Sequence, residues 1–148
     1  MKLESIKQVS VEDILPIRQE VLRPGKAVET CFFENDKAEE SVHFGYFLDE
    51  KIAGIASVLK DSSQEFAEKN QFRLRGMAVL PSYRNYAIGK KLLQHSEKYC
   101  IEKNADLLWF NAREKIVPFY KKYAFQIKGS IFEIPTVGPH QLMVKFFK

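Results

Sequence analysis

The chain has 148 residues and a mass of 17.2 kDa, enough for one well-buried domain and short for two. Hydrophobic residues at 45% and charged residues at 28% exclude a disordered chain, and no apolar run approaches the ~18 residues that a membrane span requires. The formal charge of +4 is scattered, with modest pairs at Lys90-Lys91 and Lys121-Lys122. A nucleic-acid-binding face gathers its cations on one element, so the expectation is no nucleic-acid partner and no membrane, and a small polyphosphate ligand suits the charge equally well.

The opening residues Met1-Lys2-Leu3-Glu4-Ser5-Ile6-Lys7 carry charges where a secretory signal needs its apolar stretch. Cys31 and Cys100 lie far apart, with no CxxC pair and no accompanying histidines, so neither a zinc site nor a redox dithiol is indicated. The reducing cytoplasm is the expected location.

There is no internal repeat and no linker-like tract. Ser10-Val11-Glu12-Asp13 has the form of a helix start, followed by Ile14, Ile17, Val21 and Leu22 at helical spacing, with Pro16 removing one backbone bond. The stretch from Leu22 to Lys26 breaks structure, and the residues up to Ser41 are acidic and hard to assign. Two strand-like runs follow, Val42 to Leu48 and Ile52 to Leu59, joined as a hairpin.

A third strand, Gln71 to Leu80, alternates Phe72, Leu74, Ala78 and Leu80 with Arg73 and Arg75, then turns apolar on its other side at Met77 and Val79. The change falls at Gly76, which fits a bulge or a ligand lying against the strand; a strand that simply enters the core fits equally. A helix from about Ile88 to Lys103 comes next. Leu107 to Phe110 reads as a central strand, Glu114 to Tyr123 as a helix, and Phe125 to Ile134 and Gln141 to Phe147 as two strands around Pro135-Thr136-Val137-Gly138-Pro139. A single domain over residues 1–148 follows, of the α/β (α+β) type, with one sheet and helices on both faces.

The junction Val79-Leu80-Pro81-Ser82-Tyr83-Arg84-Asn85-Tyr86-Ala87-Ile88-Gly89-Lys90 carries the clearest ligand signal. Small residues at Ala87 and Gly89 permit close approach to the backbone. The first-turn N–H groups of the helix have no partners within it, and with the helix dipole they bind phosphate. Arg84 and Lys90 flank them as cations. As an Ala-x-Gly alone the pattern is equally explained by packing, and no Lys-Ser/Thr pair completes a P-loop.

The segment resembles the Q/R-x-x-G-x-G/A signature of the GNAT superfamily of N-acetyltransferases, matched as Arg84-x-x-Ala87-x-Gly89. The likeness continues in Phe119-Tyr120-Lys121-Lys122-Tyr123-Ala124-Phe125, similar to the family's L/F-Y-x-K-x-G-F. It also reaches the end, where Phe132-Glu133-Ile134-Pro135, Gly138-Pro139-His140 and Met143 resemble a subset of small members. The resemblance implies a mixed, mostly antiparallel sheet of about seven strands. It implies acetyl-coenzyme A as acyl donor, its pantetheine arm along Met77-Ala78-Val79, its pyrophosphate on Arg84, Asn85, Tyr86, Ala87, Ile88, Gly89 and Lys90, and Asn111 within reach. No metal is implied. The departures are Ala87 and Ala124 at glycine positions and Arg113 where the family usually has asparagine.

Transfer of an acyl group from a thioester needs an unprotonated amine. At pH 7 an alkylammonium of pKa ~10.4 is neutral in about one molecule in 2,500, a deficit of ~4.6 kcal/mol unless a base helps. The candidate bases are Glu133 and His140. Counted by twos along unbulged strands, Glu133 falls on an apolar face with Phe125, Ile127 and Ile131, and His140 with Leu142, Val144 and Phe146. A structural Glu–His hydrogen bond closing the last hairpin is the competing reading. Tyr120, a core aromatic by spacing, takes by resemblance the place of the family's general acid. Backbone N–H groups around Met77 and Val79 would polarise the carbonyl. Arg23 and Lys26 are candidates to face the acceptor, a small-molecule or peptide amine; His43, Glu34 and Asp36 stand in reserve, and the oligomeric state, a homodimer included, is left open.

Overall fold

The computed structural model describes residues 3–148, apart from the Asn85 side chain; the first two residues of the opening stretch lie outside it. Seven strands form one sheet: β1 (Glu4–Val9), β2 (Val42–Leu48), β3 (Lys51–Lys60), β4 (Gln71–Val79), β5 (Leu107–Arg113), β6 (Gln126–Ile134) and β7 (Gly138–Phe146). Their order is β1-β2-β3-β4-β5-β7-β6. The β4–β5 pairing is parallel, and β1–β2, β2–β3, β5–β7 and β6–β7 are antiparallel. Among the described residues three α-helices accompany the sheet, α1 (Val11–Ile17), α2 (Ile88–Glu102) and α3 (Val117–Lys122). This is the α/β architecture expected, with a mostly antiparallel sheet. No helix among the described residues is long and apolar enough to cross a membrane.

The chain packs as two units. The first comprises Met1–Lys60 and Leu74–Tyr99, the second Asp61–Arg73 and Cys100–Lys148, so β4 contributes to both. In the first unit Ser10 closes a capping box with Asp13, as its position before Val11 predicts. Beyond Pro16 the helix widens into a π-helical turn, Arg18–Leu22. Val11, Ile14, Leu15 and Ile17 pack with Cys31, Ile55 and Ala78. On the next residue along β3, a Cβ at Gly54 would stand 2.7 Å from Ile88 Cγ2 and 3.1 Å from Leu92 Cδ1. Neighbouring strand residues point to opposite faces, so α1 and α2 cover the two sides of β3.

In the second unit Leu107, Trp109, Leu142 and Val144 form one apolar cluster with Phe66. Phe110 points the other way and packs on Tyr120 and Phe125, at 4.3 and 5.0 Å between ring centroids. β7 starts three residues earlier than its hydrophobic pattern suggests, at Gly138, because the turn is made within residues 135–137. The edge strand β6 is interrupted between Lys128 and Phe132, where Gly129 takes a φ of +81°. Lys128 pairs with Leu142 and Phe132 with His140, so the bulge adds two residues and leaves a count by twos in step; Ile131 and Glu133 stay on the Ile127 face but are exposed there instead of buried.

Candidate active site

Gly76 has a φ of +61° in the middle of β4, so the strand leaves its extended path at the residue where its sequence pattern changes. A Cβ there would lie 2.8 Å from the Phe33 ring. Beyond it Met77 and Val79 are partly exposed, whereas Ala78 is buried in the α1 cluster. A 3-10 turn, Pro81–Tyr86, leads to Ala87, whose φ of 57° and ψ of 29° are left-handed, and α2 begins at Ile88. A left-handed turn delivers the chain into α2 with the N–H groups of its first turn free of helical acceptors.

Ile88 anchors this turn in the core, while Ala87 and Lys90 are exposed and Gly89 is half-buried. Arg84 is exposed and its Nε donates to the Val79 carbonyl at 3.3 Å, tying it to the end of β4. Tyr86 is exposed, and the Asn85 side chain lies outside the described residues. Adjacent lysines divide: Lys91 donates to Glu4 at 2.8 Å and also meets Tyr46, which leaves Lys90 as the cation beside the helix start. That hydrogen bond to Lys91 holds the Glu4 carboxyl below its ordinary pKa. Backbone donors, a helix dipole and two cations suit a pyrophosphate.

Behind Gly76 lies a buried polar network. Arg18, 1% exposed, donates from Nη1 to the Cys31 carbonyl and to Asp36 Oδ2, and from Nη2 to Asp36 Oδ1 and Ser57 Oγ. His43 bridges Ser57 Oγ at 2.7 Å and the Asp36 carbonyl at 2.8 Å. Since the carbonyl only accepts, His43 Nε2 carries the proton there and Nδ1 accepts from Ser57. Phe33 lies against the Arg18 guanidinium at 3.8 Å and the Arg75 guanidinium at 4.3 Å from its centroid. Asp36 and His43, reserve candidates by sequence, are thus structural members of this network, and Glu34, Arg23 and Lys26 are exposed. Arg18 was passed over because a charged residue breaks the apolar pattern; its spacing of four from Ile14 was the available signal.

In the second unit Tyr120 is 8% exposed, enclosed by Phe110, Phe119 and Phe125, and this burial pushes its phenol up to about 12. It lies on the Phe110 face. Asn111 points to the opposite face, opposite Leu142, and His140 shares that face two residues further along β7. His140 is buried, and its Nδ1 lies 2.8 Å from the Gly138 carbonyl. The carbonyl can only accept, so Nδ1 donates and Nε2 presents its lone pair. Glu133 pairs with Pro139, the residue before His140, so the two candidate bases project to opposite faces and no hydrogen bond joins them. An open cavity of about 350 Å³ lies on the His140 face, lined by Ser63, Glu65, Trp109, Asn111, Lys128, Gly129, Ser130, Phe132 and Leu142. Sequence reasoning named only Asn111 among these as a site residue, since Ser63 and Glu65 come from a loop, Lys128 to Phe132 from a bulged edge strand, and Trp109 and Leu142 read as core.

Residues 10–125 match the model of the acetyltransferase (GNAT) family. The chain is 38% identical over 140 residues to the uncharacterized N-acetyltransferase YitI of Bacillus subtilis (strain 168), covering 95% of this chain and 94% of YitI. Among solved structures, Ard1 from Thermoplasma volcanium superposes with a TM-score of 0.77 at 18% identity, covering 97% of both chains. The ribosomal-protein-S18-alanine N-acetyltransferase from Escherichia coli superposes with a TM-score of 0.71 at 20% identity, covering 96% of this chain and 91% of that one. These structural likenesses extend over the whole fold.

Proposed function

The chain belongs to the GNAT family of acetyltransferases, and from that premise we propose that it transfers the acetyl group of acetyl-coenzyme A directly to a primary amine. The whole chain serves as one catalytic domain. The observation that carries the reading is the start of α2: a left-handed residue at Ala87, first-turn amides that have no acceptors within the helix, and the cations Arg84 and Lys90. There the amides of Ala87 to Lys90 take the pyrophosphate, with Asn85 and Tyr86 beside it. The pantetheine arm lies along Met77, Ala78 and Val79, which the Gly76 bulge presents out of the regular strand path. Asn111 is a further polar contact for the donor.

The amine nitrogen attacks the thioester carbonyl carbon, a C–N bond forms, the C–S bond breaks, and the thiolate leaves with the electron pair. His140 is the base that takes the amine proton, because its Nδ1–H is committed to Gly138 and Nε2 is the open lone pair. Glu133, exposed on the other face, is the weaker candidate and serves at most as a solvent-side relay. Backbone N–H groups around Met77 and Val79 stabilise the carbonyl oxygen as negative charge develops. Tyr120 stays protonated and donates a hydrogen bond to the departing sulfur. Full proton transfer from a phenol at about 12 to a thiolate of pKa ~8.5 would be uphill by ~5 kcal/mol.

Small-molecule amines and peptide N-termini are both candidate acceptors; the S18-alanine enzyme is named for a ribosomal-protein acceptor, and a peptide is therefore part of the test panel. Free-thiol release should be followed over amino acids, peptides and polyamines. The reading requires release by the wild type, none by Gly89→Glu despite a native circular-dichroism spectrum, and a slowed rate in His140→Gln. Coenzyme A binding without release over any amine would overturn it.

A further inference from the structure

We propose that the cavity of the second unit is the acceptor site and that its ligand is a zwitterionic amino acid with an apolar side chain. This rests on the acyl-transfer reading for its purpose, and on the cavity's own lining for its chemistry.

One anion and one cation line the same cavity, the Glu65 carboxylate and the Lys128 ammonium. Neither has an ion-pair partner among the described residues. A polyamine would set cations against Lys128, and a dicarboxylate would set anions against Glu65. A ligand carrying one ammonium and one carboxylate satisfies both, with Ser63 and Ser130 as further hydrogen-bond partners. The remaining walls are Trp109, Phe132 and Leu142, which ask for an apolar body. The volume of about 350 Å³ suits a single amino acid, not a folded protein surface.

The walls are preset. Trp109 Nε1 donates to the Asp61 carbonyl at 2.9 Å, and Arg73 lies 4.6 Å from the Trp109 ring while its Nη1 is 3.3 Å from Asp61 Oδ2. The indole therefore has its polar atom occupied and offers only carbon to a ligand. Phe132, also in the lining, pairs with His140 across the strands and lies 6.1 Å from its ring, so the base adjoins the cavity on the same face of the sheet. An ammonium bound first as a cation there gives one proton to His140 Nε2 before attack, and the second, released as the C–N bond forms, ends on the departing thiolate.

Trp109 is the chain's single tryptophan, so its emission reads occupancy of the cavity without any turnover. Full-length protein should be titrated with L-leucine, with isopentylamine, which lacks the carboxylate, and with 4-methylpentanoate, which lacks the amine. Leucine should change the emission saturably, and each analogue should bind at least ~10-fold more weakly, the size of one lost charged hydrogen bond. Lys128→Gln, on the exposed edge strand, should weaken leucine ~10-fold and leave isopentylamine unchanged. Equal binding of isopentylamine and leucine, no response to leucine, or no effect of Lys128→Gln overturns the assignment. Leucine binding without acetyl-dependent thiol release would instead sink the transfer reading and leave the amino-acid site standing.

Discussion

Arg18 and Asp36 form a two-pronged ion pair, 2.6 and 2.9 Å between nitrogen and oxygen, with both side chains shut away from water. It fastens the loop containing Cys31 and Phe33 to the end of the first helix, since Arg18 also holds the Cys31 carbonyl and Asp36 Oδ2 accepts the Phe33 N–H. Removing one partner strands the other charge in the interior. Asp36→Ala should cost ~3–5 kcal/mol in urea denaturation, whereas a double variant Arg18→Met/Asp36→Leu should recover much of the loss. A single variant with near-native stability would show that the pair contributes little.

Gly76 and Phe33 are coupled in a different way. A side chain at position 76 must adopt a left-handed φ of +61° and meets the Phe33 ring at 2.8 Å. Gly76→Ala should therefore destabilise by about 2–4 kcal/mol, combining ~1 for the backbone with ~1–3 for overpacking. Adding Phe33→Leu should relieve the second part only. A double-mutant cycle with no coupling would place the strain elsewhere.

Two alanines hold backbone conformations that glycine adopts freely, Ala87 at φ 57° and Ala124 at φ 71°. Ala87→Gly and Ala124→Gly should each stabilise by about 1 kcal/mol, read as a rise in thermal midpoint. Ala87→Gly should also tighten coenzyme A, because it removes a methyl group from the proposed pyrophosphate turn. Ala124→Gly, in the other unit, should leave that affinity unchanged in calorimetry.

Tyr120 gives an alkaline prediction. Its phenol is raised from about 10 to about 12 by burial, so the native state keeps a proton that the unfolded chain gives up. The associated stability is complete below pH ~10 and falls as the pH rises toward 12, by about 3 kcal/mol in total. Tyr120→Phe should flatten that decline in denaturation curves taken at successive pH values. It should also lower turnover with little change in coenzyme A affinity; an unaltered rate would remove Tyr120 from the mechanism.

Much of the fold was legible because burial leaves a periodic trace. β2 and α2 were placed to within a residue or so, as Val42-His43-Phe44-Gly45-Tyr46-Phe47-Leu48 and the Ile88, Leu92, Leu93 spacing are explicit. β1 had no such trace, with Ser5, Lys7 and Gln8 interrupting its apolar residues. The turn proposed to bind phosphate was visible because its features are local, small residues and cations at a helix start. Glu133 lies on the Ile127 face where a count by twos puts it, but beyond Gly129 that face is exposed, and nothing in the neighbouring residues announces where the burial ends. Arg18 and the Glu65–Lys128 cavity depend on partners distant in sequence, which periodicity does not register.

The most direct test of acetyl transfer supplies purified protein with ¹³C-acetyl-coenzyme A and a metabolite extract, then follows the label by mass spectrometry. A labelled N-acetyl product formed by the wild type and absent with Gly89→Glu is the predicted result. Coenzyme A bound at the α2 turn with no labelled amine in any fraction would contradict it.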